Sequence, residues 1–186
     1  RERYDDLVMA IEDEIGRSPV GLATIMNEIT LLVKEDMILI SGICFGLVFM
    51  ISWVAFKKLR LALLTTLPLV HTIYITLGIL PVMGVEINVF SIAAFPLIIG
   101  IGIDSGIHLI HRLNEESVLT IAEKVMETGK AIMLTAFTTI IGFGSLANIN
   151  HPGMANLGLT VAIGMSISMV LTLVLIPLGY KLIMKR

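Results

Sequence analysis

Apolar residues fill five long stretches of this 186-residue chain, and the polar residues collect between them. The stretches lie at about 37–56, 61–80, 87–111, 131–149 and 154–180. Each approaches or exceeds the roughly 20 apolar residues that a helix needs to cross a bilayer. The pattern predicts an all-α membrane protein: a polytopic bundle of five transmembrane helices plus interfacial helices, with short connections. The first 36 residues read differently, being charged and broken by Gly16-Arg17-Ser18-Pro19. Beyond that break Leu22, Ile25, Met26, Ile29, Leu32 and Val33 recur at helical spacing. An amphipathic helix over 20–36 is therefore expected at the membrane surface, between the tail of an outer domain (1–19) and the first span. Over 117–129, Val118, Ile121, Ala122, Val125 and Met126 face one way, and Glu123, Lys124 and Glu127 the other. This reads as a short interfacial helix, or simply as a link between two spans.

Composition supports the membrane assignment. Hydrophobic residues make up 56% and charged residues 15%, against about 45–50% and 25% in soluble domains. Mean hydropathy is +0.94. Disorder is excluded by the same figures, and a disulfide scaffold by the single cysteine, Cys44. Thirteen Lys and Arg against fifteen Asp and Glu give a net charge of −2, with no basic excess for nucleic acid. The chain opens on Arg1. It reads as a fragment or a processed product of something longer.

The few charges set an orientation. Lys57, Lys58 and Arg60 follow the first stretch, Arg112, Lys124 and Lys130 the third, and Lys181, Lys185 and Arg186 the fifth. The connections 81–86 and 150–153 hold no Lys or Arg, though Glu86 sits in the first of them. By the positive-inside rule the C-terminus is cytoplasmic and the N-terminal segment outside, or periplasmic in a bacterial inner membrane.

One acid, Asp104, remains inside an apolar run. A charged side chain at mid-helix costs about 2.5–3.5 kcal/mol on insertion scales. A carboxyl surrounded by hydrocarbon favours its neutral form, so such an acid can take up and release a proton as its surroundings change. A static polar clamp between helices is the plainer alternative. His108 and His111 share the helical face of Asp104. His108 is positioned to bond the acid or pass protons, or to make a packing hydrogen bond; His111 reads as an interfacial residue. Thr135, Thr138 and Thr139 form one polar stripe in the fourth stretch, able to solvate a carboxyl or to back-bond to their own helix. Gly100, Gly102 and Gly106 read as one bare helix face for close packing, with Gly142 of the fourth stretch and the Gly42/Gly46 pair of the first alongside them. Pro96 reads as a kink or hinge. His71 reads as a satisfied core histidine. A zinc site built from the Asp/His set has no supporting motif, and no cofactor is expected beyond the proton. The eleven methionines read as packing filler.

These residues carry a resemblance. The run Gly-Ile-Gly-Ile-Asp104-Ser-Gly-Ile-His-Leu, then Thr135-Ala-Phe-Thr-Thr-Ile-Ile-Gly-Phe-Gly-Ser-Leu, then His151-Pro-Gly-Met-Ala-Asn-Leu-Gly158, resembles the resistance–nodulation–division (RND) superfamily. The closest likeness is to its MMPL-like and hopanoid-exporter-like branch, over about residues 16–185. The resemblance implies twelve spans in two repeats, with a large outer domain after the first span of each. This chain would be the last five spans of the second repeat, and the N-terminal half of the same transporter its partner. It also implies a proton relay in which Asp104 matches the tenth-span acid and the threonines match the eleventh-span polar stripe. Many MMPL-type members follow the acid with Tyr; here it is Ser105, a candidate member of the relay. The implied activity is proton-driven export of a lipid or another hydrophobic or amphiphilic substrate, not enzymatic catalysis. A homo-oligomer or a periplasmic partner is compatible with it. Two alternatives share the architecture: a Sec-type protein-translocation auxiliary, and a lipid sensor similar to sterol-sensing domains.

Overall fold

The computed structural model describes residues 22–85 and 87–184, with side chains for 36–85 and 87–183. The expected tail at 1–19, the side-chain face of the 20–36 helix, Glu86, Lys185 and Arg186 lie outside the described residues. The chain divides into two compact units, Arg1–Asp36 and Met37–Arg186, of which the second holds the apolar bundle.

Five helices account for nearly all of the described residues: α1 (Leu22–Phe56), α2 (Leu59–Val82), α3 (Val89–Asn114), α4 (Ile121–Gly144) and α5 (Pro152–Met184). A 3-10 turn, Ser145–Asn148, prolongs α4. No strand occurs among the described residues. All five are long and apolar enough to cross a membrane, over Asp36–Phe56, Leu59–Val82, Val89–Asn114, Ile121–Asn148 and Pro152–Ile183. The protein is thus an all-α polytopic bundle.

The helix boundaries follow local chemistry. The Thr120 hydroxyl accepts the Glu123 N–H at 3.3 Å, and the Glu123 carboxylate accepts the Thr120 N–H at 2.7 Å. This capping box satisfies orphan donors and starts α4 at Ile121. Nothing then interrupts the helix, so the separate interfacial helix expected over 117–129 does not form. Residues 121–129 are the first turns of the fourth span instead. Gly129 does not break it, because its bare face meets Leu173, whose Cδ2 would lie 3.3 Å from an added Cβ. At the other end of the bundle α2 closes on Gly84, whose φ of +71° suits a residue without a side chain.

α5 is the spine, packing against α2, α3 and α4. Two apolar clusters hold the ends. One joins Leu61 and Leu64 of α2, Leu109, Ile110 and Leu113 of α3, Ile132 of α4 and Ile176 and Tyr180 of α5. The other joins Leu80, Ala94, Phe95, Ile98, Val161 and Met165. The basic residues Arg60, Arg112, Lys124 and Lys181 belong to the end held by the first cluster.

At that end the C-terminus of α3 is tied down. The buried Lys124 ammonium donates to the carbonyls of Glu115 (2.5 Å) and Leu113 (3.4 Å), and the Tyr180 hydroxyl donates to Leu113 O at 3.0 Å. These bonds satisfy carbonyls that a helix end leaves without partners. Replacing Lys124 with Met keeps the stem and removes three donors. It is expected to lower stability by about 1–3 kcal/mol, the cost of stranding buried polar groups. The unfolding midpoint in detergent reports this; an unchanged midpoint would mean that water replaces the ammonium at no cost.

Candidate functional site

α3 and α4 enclose a cleft of about 700 Å³, backed by Met165 of α5. Antiparallel packing sets its contents. Arg112 of α3 pairs with Glu127 of α4. Asp104 lies eight residues before Arg112 and Thr135 eight residues after Glu127, so the same register brings Asp104 level with Thr135. The cleft accordingly takes Asp104, Ser105 and His108 from α3 and Thr135 and Thr139 from α4. Thr138, the sixth residue expected in the relay, lines a shallower adjoining pocket with Thr139 and Gly142.

The Asp104 side chain is exposed on the open face of α3, as is that of His108. Among the described residues Asp104 makes no hydrogen bond or ion pair, and the His108–Asp104 bond allowed by their spacing is not formed. The threonines follow the plainer alternative. Thr135 Oγ1 donates within its helix to Ala131 O (3.1 Å) and Ile132 O (3.0 Å). Thr138 Oγ1 and Thr139 Oγ1 donate to Thr135 O at 2.8 and 3.0 Å. A hydroxyl that has spent its proton keeps its lone pairs. The stripe thus offers acceptors to a protonated carboxyl or to water, while donors to a carboxylate must come from His108 or from water.

The glycines divide between two faces rather than sharing one. A Cβ on Gly102 would lie 2.8 Å from Leu69 Cδ2 and 2.9 Å from Ser168 Oγ; one on Gly106 would lie 3.1 Å from Thr65 Cγ2. These two positions press α3 against α2 and α5, away from the acid. Gly100 and Gly142 are exposed, and an added Cβ at either meets nothing within 4 Å; the same holds for Gly42 and Gly46 of α1. α3 is continuous through Pro96. His71 is satisfied by its own helix, with Nδ1 2.9 Å from Leu67 O, but it is exposed rather than in the core and does not line the cleft.

The charged end of the cleft adds His111, Arg112, Glu115 and Glu127. Arg112 contacts Glu115 at 2.5 Å and Glu127 at 2.7 Å. The hydrogen bond from Arg112 holds the Glu115 carboxyl below its ordinary pKa. No group of three metal-capable side chains occurs among the described residues. In the sequence alone Arg112 reads as a basic residue between two spans, Glu127 as the polar face of an interfacial helix or link, and His111 as interfacial. The signal that finds them is the register, since antiparallel neighbours that match Asp104 with Thr135 also match Arg112 with Glu127. Chemically the arrangement is a carboxyl and an imidazole on one helix wall facing hydroxyl acceptors on another, with a charged opening.

Comparison with known proteins agrees with this architecture. The chain is 37% identical over 128 residues to the protein MJ1562 of Methanocaldococcus jannaschii, covering 66% of the chain and 33% of that relative. It is 29% identical over 144 residues to the hopanoid transporter HpnN of Rhodopseudomonas palustris, covering 74% of the chain and 16% of the transporter. With HpnN of Burkholderia multivorans it shares 26% over 132 residues, 67% of the chain and 14% of the transporter. The chain thus spans a third or less of these relatives. No solved structure matches it. The sequence model of the MMPL family matches residues 10–182, which include the cleft and all of the five spans but the last residue of the fifth, and the chain belongs to the MMPL family.

Proposed function

We propose that this chain is part of a proton-motive-force-driven exporter of a lipid or another hydrophobic or amphiphilic substrate, with Asp104 as the coupling residue. One observation carries the reading: an acid in the middle of a membrane span stands on an open polar face, level with a hydroxyl stripe. Facing lipid, a charged acid would cost about 2.5–3.5 kcal/mol, so the face is covered by more protein. The N-terminal half of a longer transporter supplies that cover, in keeping with how little of its relatives the chain spans. Protonation removes the charge and with it the need for donors, which lets α3 and α4 repack; deprotonation reverses this. One proton falling through about 100 mV releases about 2.3 kcal/mol, enough to bias such an equilibrium strongly. The basic end of the bundle faces the cytoplasm in this reading, and the membrane is the inner, cytoplasmic one. A lipid substrate is favoured because two relatives bear the name hopanoid transporter.

The test is reconstitution of the full-length protein in liposomes of its native lipids. An imposed proton gradient is expected to drive lipid release to an acceptor, and a protonophore to stop it. Lipid binding without gradient-dependent release would identify a sensor and contradict the proposal.

A further inference from the structure

Arg112 is a shared residue. Its Nη2 reaches Glu127 Oε2 across the cleft at 2.7 Å, and its Nη1 reaches Glu115 Oε2, just past the end of its own helix, at 2.5 Å. No other ion pair occurs among the described residues. Both partners line the cleft that holds Asp104, and eight residues place the bridge about 12 Å along α3 from the acid.

Three features make this contact suited to opening. First, the bridge joins a half-buried Arg112 to an exposed Glu127, and ion pairs that solvent reaches are weak and screened by salt. Second, an arginine that already holds a second carboxylate can release the first without being left unpaired. Third, the helix ends around it are fixed, because Lys124 and Tyr180 hold the Leu113 and Glu115 carbonyls. A change of width at this end therefore falls on side chains rather than on helix positions.

We propose that the Arg112–Glu127 bridge is a side-chain gate between Asp104 and water at the charged end of the cleft, opening as Arg112 moves wholly onto Glu115. This rests on the reading of Asp104 as the proton carrier. With the bridge made, the guanidinium closes the path; with it released, the path runs past His111 and His108 to the acid.

The test uses full-length protein in liposomes containing a pH-sensitive dye, with an imposed pH step and no substrate. E127Q keeps the shape of the side chain but leaves Arg112 on Glu115. It is expected to raise substrate-independent proton flux about two- to five-fold, the range that an exposed ion pair can hold back. E115Q leaves Arg112 on Glu127 and is expected to lower the same substrate-independent flux below that of wild type. D104N/E127Q is expected to fall to the level of D104N alone. Three results would overturn the gate: normal flux in E127Q, changes of the same sign in E115Q and E127Q, or a leak that persists in D104N/E127Q. Should E127Q unfold, R112C/E127C in a background with every other cysteine, Cys44 included, replaced by serine takes its place. A reducible thiol cross-linker between the two is expected to stop flux, reduction to restore it, and flux indifferent to cross-linking would defeat the proposal. Coupled transport that survives D104N defeats the reading of Asp104 and the gate together. Transport that is lost in D104N while E127Q behaves as wild type defeats the gate alone.

Discussion

Replacing Asp104 with Asn is expected to reduce proton-driven export to background and to leave the bundle folded. Asn matches the shape of Asp but carries no titratable proton, so the repacking that follows protonation has nothing to drive it. The fold should not register the change. Asp104 makes no hydrogen bond or ion pair among the described residues, and Asn offers a covering half the same shape with polar groups in place of the charge, so the stability shift is expected to stay below about 0.5 kcal/mol. D104E keeps the carboxyl and is expected to retain part of the activity. Export from liposomes and the unfolding midpoint, measured on the same preparations, separate the two effects. Full export by D104N contradicts the account, whereas loss of export together with loss of fold would give the acid a structural role.

The second large effect concerns stability. Replacing Gly158 with Ala is expected to destabilise the bundle by about 1–3 kcal/mol, the usual cost of overpacking. A Cβ there would sit 2.4 Å from the Phe143 carbonyl oxygen and 2.6 Å from Leu146 Cβ. The first of these is backbone, so no rotamer relieves the clash. The junction of α4 with its 3-10 turn must move, and that junction carries the far end of the threonine helix. Gly78→Ala is the matched control. Gly78 is exposed and an added Cβ meets nothing within 4 Å, so the change should be neutral or slightly stabilising, since Ala favours helix by up to about 1 kcal/mol. Equal midpoints for the two variants would mean that α4 and α5 approach less closely than this geometry requires.

Much of the fold was legible in the sequence because the bilayer imposes one simple rule. Long apolar runs become spans, and the existence of all five followed from length alone. Where boundaries moved, local hydrogen bonding decided. The Thr120–Glu123 capping box lay in plain view, but the amphipathic pattern of 117–129 is equally compatible with a surface helix and with the first turns of a span. Site residues were found by cost, since a lone acid among Ile and Gly is expensive wherever it points. Direction was harder. Gly100, Gly102 and Gly106 are close in sequence, yet only the packing of Leu69, Thr65 and Ser168 shows that two of them serve α2 and α5 while an added Cβ on the third meets nothing within 4 Å. The threonine stripe was readable, but not the use its hydroxyls make of their protons. Arg112 and Glu127 stand fifteen residues apart on either side of a loop. Nothing in the spacing of either helix alone pairs them, and only the antiparallel register does.

In the proposed mechanism Asp104 gains and loses a proton while embedded in the membrane. Infrared difference spectroscopy of the full-length protein in lipid, stepped from alkaline to acid pH, observes the carbonyl stretch of a protonated carboxyl directly. The expected result is a band that grows as the pH falls and is missing from the D104N spectrum. Identical difference spectra for the wild type and D104N would contradict the account.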